Sequence, residues 1–375
     1  MTAWHSITDL YLTISEDIMT PATQATPHLA GPKGQPDITY GPDIEKCQES
    51  WAYQLTSADI KKVEEALAHF KSLKEPSAVG DVNQETFPLP TPHDLFRGIS
   101  DEVHNRHGFK IVRVVPVQCH TREENIIIFA GISAHITSTR GRQDSIYRGE
   151  PADVMILHIK DLTRAKNAHI IRAPAFTSEK QVFHTDSGDI VALFALETAA
   201  EGGQSKLASS WSVYNELAAT RPDPIRTLAE PWAVDDFGKT DQGYYLRPLL
   251  YHQPETEKCS KRVIIQYARR VFTGYWMRPR SANIPPITEA QAEALDALHF
   301  LAERIIHARD EYTDSPDRQR HLIRMWLRDP DLAWLTPEAL NKGWARIYGN
   351  VKPEKSVFPL EPFMREPSAG TVQHQ

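Results

Sequence analysis

The chain has 375 residues, of which 41% are hydrophobic and 24% charged, and its formal net charge is −7. That length suits one large domain or two ordinary ones, and no basic run with interleaved aromatics marks a nucleic-acid footprint. No apolar run approaches the roughly 18 residues that a membrane span needs, so neither nucleic acid nor membrane is expected as a partner.

The cysteines, Cys47, Cys119 and Cys259, lie far apart and match no zinc spacing. They form no disulfide framework, which points to a reducing compartment. Asp9, Glu16 and Asp17 at the start, with no early Lys or Arg, argue against a signal peptide or presequence. A cytoplasmic location is expected, and a homo-oligomer is compatible with everything above.

Residues 1–50 read as an N-terminal extension. Met1 to Ile18 suits a short amphipathic helix, and Pro21 to Pro42 reads as loop or disorder. Trp51 opens the folded part. Ile60, Val63, Ala66, Leu67 and Phe70 keep a helical period through Ser57 to Lys74, behind a Thr/Ser/Asp cap. Asp94 to His104 suggests a second helix. Phe109 to Val117 and Asn125 to Phe129 read as strands, and polar Ser133 to Gly149 as a loop over a site. Val154 to Lys160 and Ile190 to Glu197 are also strand-like.

Further on, Glu201 to Ser205 is a Gly-Gly turn leading into a strand at Lys206 to Ala208. Ser209 to Ala219 reads as a helix, Tyr244 to Tyr251 and Arg262 to Tyr267 as strands, and Thr288 to Ile305 as a helix. Arg320 to Leu327 alternates: His321, Ile323, Met325 and Leu327 share one face, and Arg320, Leu322, Arg324 and Trp326 the other. Many short strands with flanking helices suggest a mainly β two-sheet jelly roll over 51–350, with 351–375 as a tail.

The chemistry concentrates at Phe183-His184-Thr185-Asp186. This stretch reads as a strand, in which residues i and i+2 point the same way, so His184 and Asp186 converge. With 16 histidines in the chain, one such triplet arises by chance, so context must carry the assignment. His307 supplies a second candidate imidazole. Two histidines and one carboxylate hold one face of a non-haem Fe(II) and leave positions open for co-substrate and oxygen. A zinc hydrolase would also need a general base beside its bound water, and no H-E-x-x-H motif is present. His120, His135 and His158 have no metal spacing and read as structural. Trp211 and Trp326 read as core.

In order, Phe183-His184-Thr185-Asp186-Ser187-Gly188-Asp189, Glu201-Gly202-Gly203-Gln204-Ser205, His307-Ala308-Arg309 and the string from Arg320 to Pro330 resemble the taurine-dioxygenase-like (TauD/TfdA-like) Fe(II)/2-oxoglutarate oxygenases, closest to their fungal branch. The likeness spans roughly Trp51 to Tyr348. It implies a double-stranded β-helix like that of clavaminate synthase. It also implies Fe(II) on His184, Asp186 and His307, and 2-oxoglutarate anchored by Arg320 with the Ser205 hydroxyl. Bidentate guanidinium recognition suits a carboxylate. The family more commonly has threonine in place of Ser205. Arg324 would either reach the primary substrate or pair with an internal acid, Arg309 would support the site, and Asp189 would brace the ligand segment or sit in a solvated turn.

The activity so implied is oxidation of a small molecule, with O2 consumed and 2-oxoglutarate decarboxylated to succinate. One departure stands out: the Gly-Asp…Asn-Asn strand that usually precedes the distal histidine is absent. That departure supports the alternative of a jelly-roll relative that binds a small acid without turnover.

Overall fold

The computed structural model describes residues 10–14, 47–73, 78–171, 173–207, 209–235, 242–253, 261–274, 279–302 and 308–363. Its largest sheet has seven strands, labelled here in chain order: β1 (Leu10–Ile14), β2 (Ala52–Gln54), β3 (Phe109–Arg113), β4 (Thr139–Gly141), β5 (Ile156–Lys160), β6 (Ile190–Glu197) and β7 (His321–Arg328). The spatial order is β2-β3-β1-β6-β7-β4. The outer edge of β7 is shared, with β5 opposite His321 to Met325 and β4 opposite Trp326 to Arg328. The expected helix at Met1 to Ile18 is not what forms at Leu10–Ile14. These five residues pair antiparallel with both β3 and β6.

Strand β6 occupies the span its pattern predicts, because eight consecutive apolar-rich residues are covered on both faces. The alternation in β7 also holds. Ile323, Met325 and Leu327 join the large core on one face, while Leu322 and Trp326 pack with Val191, Leu193 and Ala195 on the other. The first face is covered by helices α1 (Ser57–Ser72), α2 (His93–Asn105) and α3 (Arg122–Ile136). Phe129 of α3 stacks on Phe194 of β6 with centroids 5.2 Å apart, a pairing worth about 1 kcal/mol beyond its area.

Two readings are corrected here. Asn125 to Phe129 is helix, not strand, and the segment read as a loop from Ser133 ends that helix at Ile136 before β4 and a strand at Asp144–Tyr147. The physical reason is the reciprocal capping box of Thr121 and Glu124, which satisfies the first N–H groups of α3. From Asn125 onward every residue of α3 is buried, so the helix lacks the polar stripe that reveals a surface helix. Likewise the strand read as Phe109 to Val117 stops at Arg113, where Val114 turns to φ 71°.

A second core lies between α4 (Ser210–Thr220), α5 (Asp223–Ala229), α6 (Glu289–Ala302) and two hairpins, Trp232–Asp235 with Tyr244–Arg247 and Leu250–Gln253 with Arg262–Ile265. Phe183, Tyr267 and Ala308 belong to it. Through Phe183, this layer packs directly beside the His-Thr-Asp segment. A last helix, α7 (Glu338–Tyr348), follows β7.

Candidate active site

His184 and Asp186 lie on an extended segment just before β6, not in a ladder strand; its ladder pairing among the described residues is limited to isolated bridges, Gln181 to Arg309 and His184 to Ala268. The expected convergence is nevertheless present. His184 Nε2 lies 3.9 Å from Asp186 Oδ1, and both residues are buried. His184 Nδ1–H donates to the Val182 carbonyl at 2.9 Å, which leaves Nε2 as the lone-pair nitrogen facing the carboxylate. Burial lowers the His184 pKa, opposed by Asp186, and favours the neutral imidazole that a metal needs. The Gln181 amide donates to that Nε2 at 3.1 Å.

Asp186 is held by Arg324. The guanidinium Nη1 lies 3.0 and 3.1 Å from the two carboxylate oxygens, and Nε donates to Gln143 Oε1 at 3.1 Å. Arg324 also lies 4.8 Å from the Trp326 ring centroid. Of the two roles read for Arg324, pairing with an internal acid is the one seen. Arg320 is buried just before β7; its N–H donates to Asp314 Oδ1 at 2.8 Å and its guanidinium sits over Tyr312 at 5.4 Å.

The Gly-Gly turn presses against Arg320. A Cβ on Gly203, whose φ is +72°, would lie 2.9 Å from Arg320 Cδ. Glycine is required there on both counts. Ser205 lies two residues on, in a two-residue strand that pairs Ser205 with Arg309 and Lys206 with Ala308.

His307 lies outside the described residues. The two residues after it enter the site region: Arg309 pairs with Gln181 on one side and Ser205 on the other. Arg309 donates to the carbonyls of Thr177, at 3.0 Å, and Glu179. Among the described residues, no group of three His, Cys, Asp or Glu side chains forms a metal site. A neutral imidazole nitrogen and a carboxylate oxygen facing each other are donor types that fit a divalent cation such as Fe(II), and could serve as two of three ligands.

The remaining candidates sit elsewhere. His158 Nδ1 lies 2.7 Å from His321 Nε2, and its Nε2–H donates to the Pro359 carbonyl. His135 bonds to Phe87, and His120 to Glu64. Trp326 is core, and Trp211 is partly buried. Asp189 accepts no close bond from Arg328, whose nearest nitrogen is 3.8 Å away, so burial prevails and pushes its carboxyl up to about 8. Its backbone N–H donates to the Tyr348 hydroxyl at 2.7 Å. The sequence reading did not single out Gln143, Gln181, Gln266 or Tyr348. Each reaches the site across a long sequence separation, or carries an amide with no motif around it.

A buried His-x-Asp pair just before β6, with Arg324 of β7 on its carboxylate and a second buried arginine, Arg320, just before β7, makes a candidate metal site. The model of the taurine catabolism dioxygenase TauD, TfdA family matches residues 70–326. The chain is 32% identical over 345 residues to taurine hydroxylase-like protein SAT17 of Stachybotrys chartarum, with 84% of this chain and 85% of that protein covered. It is 22% identical over 310 residues to FR-33289 synthase of Streptomyces rubellomurinus, covering 74% and 85%. Among solved structures, asparagine oxygenase superposes with a TM-score of 0.50 at 14% identity, over 77% of this chain and 99% of that one. The chain belongs to the TauD/TfdA dioxygenase family, a family of oxidoreductases. Among the described residues, no helix is long and apolar enough to cross a membrane.

Proposed function

We propose that this protein is an Fe(II)/2-oxoglutarate-dependent dioxygenase that hydroxylates or otherwise oxidises a small molecule. The observation that carries this reading is the buried approach of His184 Nε2 to Asp186 Oδ1 at 3.9 Å. These two, with His307, would hold the iron. Iron held there would supply oxygen activation, with 2-oxoglutarate as the co-substrate converted to succinate.

The protein's own groups bind and orient. Arg320 anchors the far carboxylate of 2-oxoglutarate by a charge-assisted fork, with Ser205 donating a hydroxyl bond. Arg324 aligns the Asp186 carboxylate, and is the residue from which an acidic substrate group would draw a contact. The Trp326 and Leu322 face of β7 excludes water. The jelly-roll closure belongs to this reading, with the largest sheet as one wall and the short ladders around 201–206 and 308–313 as part of the other.

A second reading, a relative that binds a small acid without turnover, is favoured by one observation. Both metal-facing atoms already have partners, Gln181 on His184 and Arg324 on Asp186. Succinate formation from 2-oxoglutarate, assayed with added Fe(II) over a panel of small acids and amines, separates the two. Iron-dependent succinate supports the oxygenase; 2-oxoglutarate binding without succinate under any condition supports the second reading.

A further inference from the structure

Among the described residues, the segment that carries both ligands has no strand neighbour between the bridge at His184 and the start of β6 at Ile190. Two metal ligands on such a segment need some other restraint, because a shift of about 1 Å in a ligand costs affinity and rate. The restraint comes from residue 185 between them. Thr185 N–H donates to the Tyr267 carbonyl at 2.7 Å. The Thr185 hydroxyl is saturated: it accepts from Tyr267 N–H at 2.8 Å and from Gln266 Nε2 at 2.9 Å, and donates to the Tyr267 carbonyl at 3.2 Å.

Gln266 uses its second amide hydrogen on the Asp186 carbonyl, at 2.8 Å. One carboxamide thus ties the side chain of residue 185 to the backbone of residue 186. Gln266 is itself held in place by burial and backbone bonds. It is 8% exposed, its N–H donates to the Leu249 carbonyl at 2.8 Å, and its own carbonyl accepts from Arg247 at 3.1 Å.

We propose that the Thr185 hydroxyl and the Gln266 carboxamide form a clamp behind the metal site that sets the spacing of His184 and Asp186. Neither group bonds to the His184 imidazole or the Asp186 carboxylate; their bonds go to each other and to the backbone of Tyr267 and Asp186. In an extended segment Thr185 points opposite to its two neighbours, so the clamp acts through the backbone. Both are positioning residues, and the proposal rests on the reading of His184 and Asp186 as ligands. Groups that orient ligands in this way are typically worth about 10- to 100-fold in metal affinity.

The test uses the full chain and Mn(II), followed by electron paramagnetic resonance titration, beside hydrogen exchange of residues 184–187 in the metal-free protein. Thr185→Val keeps the shape and removes the hydroxyl, whereas Thr185→Ser keeps it. Thr185→Val and Gln266→Leu should each weaken Mn(II) binding by about 10- to 100-fold and speed exchange. Thr185→Ser should stay close to the wild type, and the double variant should be no worse than the worse single. If Gln266→Leu does not fold, the Val/Ser pair decides. Wild-type affinity and exchange in Thr185→Val overturn the clamp. Absence of Mn(II) binding by the wild type overturns the metal reading instead, and the exchange data still judge the clamp.

Discussion

Replacing Arg324 with methionine removes the counter-charge of a buried carboxylate. Both side chains are 3% exposed, and the nearest contact is 3.0 Å. At that separation two unit charges attract by about 5–6 kcal/mol at an effective dielectric of about 20, before any desolvation cost is counted. Breaking a buried pair from one side typically costs about 3–5 kcal/mol, since the surviving charge is left uncompensated. The two routes agree in order of magnitude, so Arg324→Met should lose about 4 kcal/mol in urea unfolding of the metal-free protein. Gln143 Oε1 loses its donor as well, which adds to the loss. Asp186→Asn should also destabilise, and the double variant should be much less than additive, with a coupling of about 2 kcal/mol or more. Saturating Mn(II) should restore part of the stability of Arg324→Met, since the cation takes the place of the guanidinium. Additive losses, or an Arg324→Met protein as stable as the wild type, would refute the claim that the pair forms in solution.

Gly203→Ala places a methyl against Arg320 at a φ of +72°. It should weaken 2-oxoglutarate binding, measured by calorimetry, more than it lowers the melting temperature; unchanged binding would detach Arg320 from that role. Asp189 has a folded pKa raised to about 8 by burial. The native state therefore holds a proton that the unfolded chain has lost above about pH 4, and this contribution to stability declines as pH rises from about 4 to about 8. Asp189→Asn should flatten that decline in urea unfolding, and an unaltered pH profile would contradict it. His158 and His321 behave in the opposite sense. Burial pushes them down to about 4 and about 2, so their stability is intact above about pH 6.5 and is lost as pH falls toward 4, on the order of 1 kcal/mol per unit for each group. His321→Asn should blunt that acid sensitivity in thermal melts; equal sensitivity would show that the pair does not titrate with folding.

The parts legible in the sequence are those with a local period. Strand β6 and the two faces of β7 follow from residue order alone, because each face meets a separate core. Helix α3 was misread since burial on all sides erases periodicity, although Thr121 and Glu124 carried its start signal. The His-Thr-Asp spacing revealed the convergence of His184 and Asp186 even though the segment is not a ladder strand. The pairing of Arg324 with Asp186 and of Gln266 with Thr185 was not legible. Residues 138 and 81 positions apart in the chain meet only once the sheet and the second core are assembled.

The central claim is that His184 and Asp186 hold iron. Its most direct test is the Fe(II) content of the purified, anaerobically loaded protein beside that of Asp186→Ala, with circular dichroism to establish that both are folded. The account expects about one iron per wild-type chain and none retained by the variant. Equal iron in a folded Asp186→Ala protein would contradict it.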